Sequence, residues 1–169
     1  MNRWIPAYVG LGSNLHDPAS QVQRAISALR DWPDVRCVRS SRLYGSRPLA
    51  ARDQPDYCNA VVAMLVGGDA AVLMSRLRAL EISLGREPAR ERWASRIIDL
   101  DLLAFGGVQR QDADLTLPHA GVVQRSFVLY PLAELAPELW LPGTGRVATL
   151  ARALPADDLW LIEAGHARQ

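Results

Sequence analysis

Between Trp4 and Phe105, turn residues cut the chain into short apolar runs and helix-period segments, and their order restricts the fold more than any single residue does. Trp4 to Leu11 (WIPAYVGL) is apolar, rich in aromatic and β-branched residues, and stops at Gly-Ser-Asn, which predicts a buried first strand. Asp17-Pro18 supplies an N-cap and a proline at the first helical position. Val22, Ala25, Ile26 and Leu29 then recur at helical spacing until Trp32-Pro33. Val35 to Tyr44 alternates loosely, as a half-buried strand does, before Pro48 and a polar loop through Pro55. Tyr57 to Val66 predicts another strand, closed by Gly67-Gly68, after which Asp69 caps a helix with Val72, Leu73, Leu77, Leu80 and Leu84 on one face. Gly85 ends that helix, Arg86 to Arg96 is a polar connection, and Ile97 to Phe105 is an apolar strand stopped by Gly106-Gly107.

The order β-α-β-β-α-β is the ferredoxin-like signature, an α+β fold whose antiparallel sheet carries helices on one face. In the last third, Pro131 to Leu135 and Ala148 to Leu154 predict short helices and Leu159 to Glu163 a short strand. At 169 residues the chain reads as one domain, 1–169, with a core over 4–107 and a C-terminal extension over 108–169. Its hydrophobic fraction of 49% and charged fraction of 22% suit a globular protein with a sizeable core. A net charge of +1 argues against a general nucleic-acid binder, whose sequence-independent affinity needs a basic field. Cys37 and Cys58 are too few for a disulfide scaffold and read as small buried hydrophobes. No basic-then-apolar leader and no apolar run near membrane-spanning length occurs, so a cytoplasmic protein without membrane contact is expected.

All nineteen basic side chains are arginine, and the missing lysines read as genome composition. Their absence excludes a lysine Schiff base and the lysine-bearing phosphate loop. Arginine keeps its proton and presents a planar fork of donors, so a basic cluster here serves as an anion clamp.

Arg92-Trp-Ala-Ser-Arg-Ile-Ile-Asp-Leu-Asp-Leu-Leu103 concentrates the chemistry. On a strand, Asp99 and Asp101 share a face roughly 6.5 Å apart, while Leu100 and Leu102 point to the core. Two carboxylates that close need a positive partner. One reading is Mg²⁺, which takes one or two protein carboxylates plus substrate phosphates; the other is an ion-pair network with nearby arginines or a solvated face. Arg86, Arg90, Arg92 and Arg96 stand just before the aspartates, alternating with Glu87 and Glu91 and joined by Trp93. Cationic forks beside metal-ligand candidates suit polyphosphate handling, and a solvated charged loop is the competing account. Gly10-x-Gly12 reads as a strand-end turn that needs small residues.

Four ordered motifs carry a resemblance spanning about residues 5 to 140: Tyr8-Val-Gly-Leu-Gly-Ser-Asn14, Asp53-Gln-Pro-Asp-Tyr-Cys-Asn59, the run Arg92 to Leu103, and Leu117-Pro-His119 followed by Arg125-Ser-Phe127. Together they resemble 6-hydroxymethyl-7,8-dihydropterin pyrophosphokinase of the folate pathway, a family with a ferredoxin-like α+β fold. The resemblance implies transfer of a pyrophosphoryl group from ATP to the pterin hydroxymethyl oxygen, releasing AMP, with two magnesium ions on Asp99 and Asp101 and with Arg96 also in the catalytic set. It further implies that Glu81, Arg96, Thr116, His119 and Arg125 contact ATP, that Arg86, Arg90 and Arg92 are further candidates to face phosphate, and that Trp93 sits over the site when its loop closes. Closure excludes water, the competing acceptor. Tyr57 and Phe127 would sandwich the pterin, Asn59 would offer a donor and an acceptor to its edge, and Ser46, Pro48 and Leu49 would add contacts.

The sequence also departs from the family pattern. Ala94-Ser95 stands where Gly-Pro is usual, and Pro88 stands where many members carry an arginine, with Arg90 as the candidate substitute. Ala120 replaces a larger residue, and Arg78 and Asp114 differ near ATP. The expected partners are ATP and 6-hydroxymethyl-7,8-dihydropterin, with no nucleic acid, bound to a monomer. The alternative is a non-catalytic ferredoxin-like module that binds pterin or nucleotide. An RNA-recognition module is disfavoured by the acidic pair on the sheet.

Overall fold

The computed structural model describes residues 3–49, 53–87 and 95–163 of the chain. Strand β1 (Trp4–Ser13) pairs antiparallel with β4 (Tyr57–Gly67) along one edge and with β5 (Asp99–Phe105) along the other. On the outer edge of β4 lie two short strands, β2 (Val35–Ser40) and β3 (Tyr44–Ser46), and β10 (Leu159–Leu161) pairs with β3. The order is β10-β3-β4-β1-β5 with β2 beside β4, every pairing antiparallel, which is the ferredoxin-like order with one strand added.

The strand expected over Val35 to Tyr44 is broken in two. Its register with β4 slips between Arg36 and Arg39, where Cys37 takes φ 53°. At the break, Val61 N–H donates to the Ser41 hydroxyl at 3.0 Å, so a side chain replaces a ladder carbonyl. Cys37 is exposed there, against expectation, whereas Cys58 is buried.

Helix α1 (Pro18–Arg30) begins where Asp17 accepts from Ser20 N–H and buries Val22, Ala25, Ile26 and Leu29 as the spacing requires. Helix α2 (Ala70–Ser83) is capped by Asp69, which accepts from Ala71 N–H at 2.7 Å. It closes at Gly85, whose φ of +99° suits glycine, with Arg86 N–H donating to Glu81 O at 3.0 Å. Its buried stripe is Ala70, Leu73, Leu77 and Glu81; Val72, expected on that face, is exposed because the stripe starts two residues earlier. Both helices share a core with Ala7, Val9, Leu11, Ala60, Val62, Met64, Leu100 and Leu102, which alternate onto one face of the sheet.

The opposite face, marked by Val61 and Leu103, is covered by the C-terminal extension. Helix α3 (Ser126–Leu135) packs there with α4 (Val147–Arg152). The sequence pattern starts α3 at Pro131, yet the helix reaches back to Ser126. An internal proline removes one helix hydrogen bond, and complete burial of Leu129 and Leu132 offsets that loss. Two small hairpins complete the extension, β6 (Arg110–Gln111) with β7 (Thr116–Leu117) and β8 (Trp140–Leu141) with β9 (Gly145–Arg146). At the sheet edge a Cβ on Gly45 would fall 2.2 Å from the Trp160 indole, so glycine is what lets β10 seat.

Candidate active site

Strand β5 presents Leu100 and Leu102, both buried, to the helix-covered face and aims Asp99, Asp101 and Leu103 at the other. Across the sheet, Gly10 faces Asp101 and Val61, and Gly12 faces Asp99 and Asn59. These glycines lie inside β1, not in a strand-end turn, and neither has positive φ. Their role is space. A Cβ on Gly12 would sit 3.4 Å from Asn59 Oδ1 and one on Gly10 3.3 Å from Leu103 Cδ2, so the missing side chains leave a floor between carboxylates and amide.

Over that floor opens a cavity of about 330 Å³. Asp99, Asp101, Arg96, His119 and Arg125 line it, as do Ser46, Pro48, Leu49, Tyr57, Asn59 and Phe127. Eleven expected site residues therefore meet in one place. Glu81, Arg86 and Thr116 do not line it; Thr116 is paired with Gln111 in the β6-β7 hairpin. Pro88, Arg90, Glu91, Arg92, Trp93 and Ala94 lie outside the described residues.

Asp99 is enclosed by cations. Arg86 Nη1 donates to its Oδ1 at 2.8 Å, and Arg96 Nη1 lies 3.1 Å from both of its oxygens. Arg86 also pairs with Glu81, which is buried and accepts from Leu100 N–H at 2.6 Å. Burial pushes the Glu81 carboxyl up to about 7, against the pull of the Leu100 amide and Arg86. Among the described residues no arginine pairs with Asp101. Burial and then the Asp99 charge raise its pKa, with His119, Arg125 and Arg96 opposing. His119 Nδ1 accepts from Gly121 N–H at 3.1 Å, so the neutral ring carries its proton on Nε2, which lies 3.9 Å from Asp101.

Of the sequence readings of the aspartate pair, the ion-pair network is present at Asp99, and Asp101 is a partly exposed carboxylate beside it. Among the described residues no group of three or more His, Cys, Asp or Glu could hold a metal. Two carboxylates are too few for an all-protein cage and fit a hard cation that brings water and substrate phosphate as its other ligands.

On the apolar side, Asn59 Nδ2 donates to Ser46 Oγ at 2.9 Å and to Tyr44 O at 3.3 Å. Both amide hydrogens are engaged, so Asn59 offers the cavity its oxygen alone, a narrower role than the donor and acceptor expected. Tyr57 is half-buried, and burial first, then Asp99, raises its phenol while Arg96 lowers it.

Sequence reading gave no role to Asn14, although it ends the first motif. It is buried, its Oδ1 accepts from Arg96 N–H at 2.9 Å, and its own N–H donates to Arg96 O at 3.2 Å. Its Nδ2 reaches Gln54, Pro55 O and the Ser95 hydroxyl at 3.3 to 3.4 Å. The signal was an asparagine at the end of an apolar strand. Ser95, where the family pattern has proline, contributes an acceptor that proline lacks. Arg78 and Asp114 meet each other, Arg78 Nη2 donating to Asp114 O at 3.0 Å, and neither lines the cavity. Ala120 is exposed.

A family model described as 7,8-dihydro-6-hydroxymethylpterin-pyrophosphokinase (HPPK) matches residues 8–137. The chain is 41% identical over 153 residues to a Pseudomonas aeruginosa 2-amino-4-hydroxy-6-hydroxymethyldihydropteridine pyrophosphokinase, covering 90% of this chain and 93% of that protein. It is 38% identical over 148 residues to the Haemophilus influenzae protein of the same name, covering 88% and 92%. A crystal structure of Plasmodium falciparum HPPK-DHPS with pteroate superposes with a TM-score of 0.70 at 13% identity, over 90% of this chain and 42% of that one, a likeness of fold.

Proposed function

This chain belongs to the 7,8-dihydro-6-hydroxymethylpterin-pyrophosphokinase family, and from that premise we propose how its residues share the reaction. The activity is transfer of pyrophosphate from ATP to hydroxymethyldihydropterin in folate biosynthesis. The observation that carries the residue assignment is the convergence of an acidic pair, two arginines and a histidine with an aromatic pair and a polarised amide in one cavity.

Asp99 and Asp101 would hold two magnesium ions together with the ATP phosphates. When bound, the metal supplies charge neutralisation on the phosphate oxygens and orients an in-line displacement. Arg96 and Arg125 clamp phosphate with planar forks, and His119 presents its Nε2 proton beside Asp101. Arg86, one rank behind the cavity wall, keeps Asp99 company until phosphate and metal arrive. Glu81 acts through Arg86 and the β5 backbone and not by touching nucleotide, a reading supported by its burial. ATP roles for Thr116, Arg90 and Trp93 rest on the family resemblance alone.

Tyr57 and Phe127 take the two faces of the pterin ring, and Asn59 Oδ1 accepts from a ring N–H or amino group. Ser46, Pro48 and Leu49 border the same space. The pterin hydroxymethyl oxygen attacks the β-phosphorus and its proton passes to water, the bond from that phosphorus to the α-β bridging oxygen breaks with its electron pair on that oxygen, and AMP leaves. The residues given these roles line one cavity, and we read residues 1–169 as one catalytic domain. No helix among the described residues is long and apolar enough to cross a membrane.

Incubating the purified protein with ATP, Mg²⁺ and the reduced pterin, with chromatography of the nucleotides, tests the reading. AMP formed in step with pterin diphosphate is expected. ADP in its place, or pterin binding with no AMP, contradicts it.

A further inference from the structure

We propose that Tyr44 is a positioning residue for the pterin end of the reaction, holding the helix that carries Phe127 through Glu134 and holding Asn59 through its own carbonyl. The inference rests on the reading of Phe127 and Asn59 as pterin contacts. Tyr44 does not line the cavity, yet it touches both elements that do. It lies opposite Asn59 in the β3-β4 register, and its carbonyl accepts one of the two hydrogen bonds that fix the Asn59 amide. Tyr44 is buried as a residue, and its hydroxyl donates to Glu134 Oε2 at 2.6 Å, a charge-assisted bond.

Glu134 stands seven residues after Phe127, so both side chains leave the same side of α3, two turns apart. The same carboxylate accepts from Arg42 N–H at 2.9 Å and from Arg42 Nε at 3.1 Å. Burial raises the Glu134 carboxyl, but the bonds from Tyr44 and Arg42 outweigh it and hold it below the usual carboxylate range. Burial and Glu134 push the phenol up to about 12, so it remains a donor at neutral pH. The Arg42 side chain is 62% exposed and contributes little, so among the described residues the more sheltered side-chain tether from α3 to β3 is the Tyr44 bond. Through it, the spacing between Phe127 and the β4 residues Tyr57 and Asn59 is fixed.

Steady-state kinetics of Tyr44→Phe, with both substrates varied, provides the test. The expected result is a rise of roughly tenfold in pterin KM, the loss of one charged hydrogen bond, with ATP KM and kcat within twofold of wild type. Glu134→Ala should reproduce the effect, and Glu134→Gln, which keeps an acceptor for the phenol, should restore most of it. These two variants decide the matter if Tyr44→Phe does not fold. Phe127→Ala is measured in parallel. If it leaves pterin KM unchanged, the pterin assignment itself fails. If it raises pterin KM while Tyr44→Phe leaves it within twofold, or if Tyr44→Phe raises both KM values alike, the positioning role is overturned and the pterin assignment stands.

Discussion

At the scale of residues, the two aspartates differ although two positions separate them. Asp99 sits between two guanidinium groups, while Asp101 is half-buried beside it and faces a histidine proton. Charge stabilisation of a transferring phosphoryl group depends on what these carboxylates hold. Asp101→Asn should therefore lower turnover by about a thousandfold. Pterin affinity, read by calorimetry, should change less than threefold, and turnover within tenfold of wild type would remove the metal assignment. The placement of both carboxylates on one face was legible from strand alternation alone, because that period is set by backbone geometry. The engagement of both Asn59 hydrogens was not legible, since Ser46 and Tyr44 reach Asn59 only through the register of β3. Nor was the burial of Glu81. Its helix position shows the face it occupies, but not that β5 sends the Leu100 N–H to meet it.

At the scale of elements, α2 and β5 are joined by that buried carboxylate, and the join has a pH signature. Glu81 titrates at about 7 in the fold against an ordinary 4.5. The folded state therefore holds its proton where the unfolded chain has lost it, and stability falls as pH rises between about 4.5 and 7, then levels off. Urea unfolding at pH 5 and pH 8 should show wild type losing on the order of 2 kcal/mol relative to Glu81→Gln. Parallel behaviour of the two proteins would show that Glu81 does not carry the shift. Helix caps at Asp17, Asp69 and Gly85 stood where the sequence put them, because each is a local interaction. The break between β2 and β3 was hidden because it depends on Ser41 meeting Val61, twenty residues away. The true start of α3 was hidden by Pro131, whose usual place at a helix start hid a helix already one turn long.

At the scale of the molecule, the β-α-β-β-α-β order accounts for the sheet, for the face that α1 and α2 cover, and for one buried core. It says nothing of the second face. There the C-terminal extension covers Val61 and Leu103 with α3 and α4, and the cavity opens where the glycine floor meets the start of α3. That arrangement brings charged and aromatic side chains to one cavity, which suits a substrate pair of which one is a polyphosphate and the other a flat heterocycle. The most direct test is a crystal structure of the protein with Mg²⁺, a non-hydrolysable ATP analogue and the pterin. The pterin ring is expected between Tyr57 and Phe127 with Asn59 Oδ1 at its edge, and metal on Asp99 and Asp101 with Arg96 turned from Asp99 toward phosphate. A pterin bound elsewhere, or a nucleotide whose metal leaves both aspartates untouched, would contradict it.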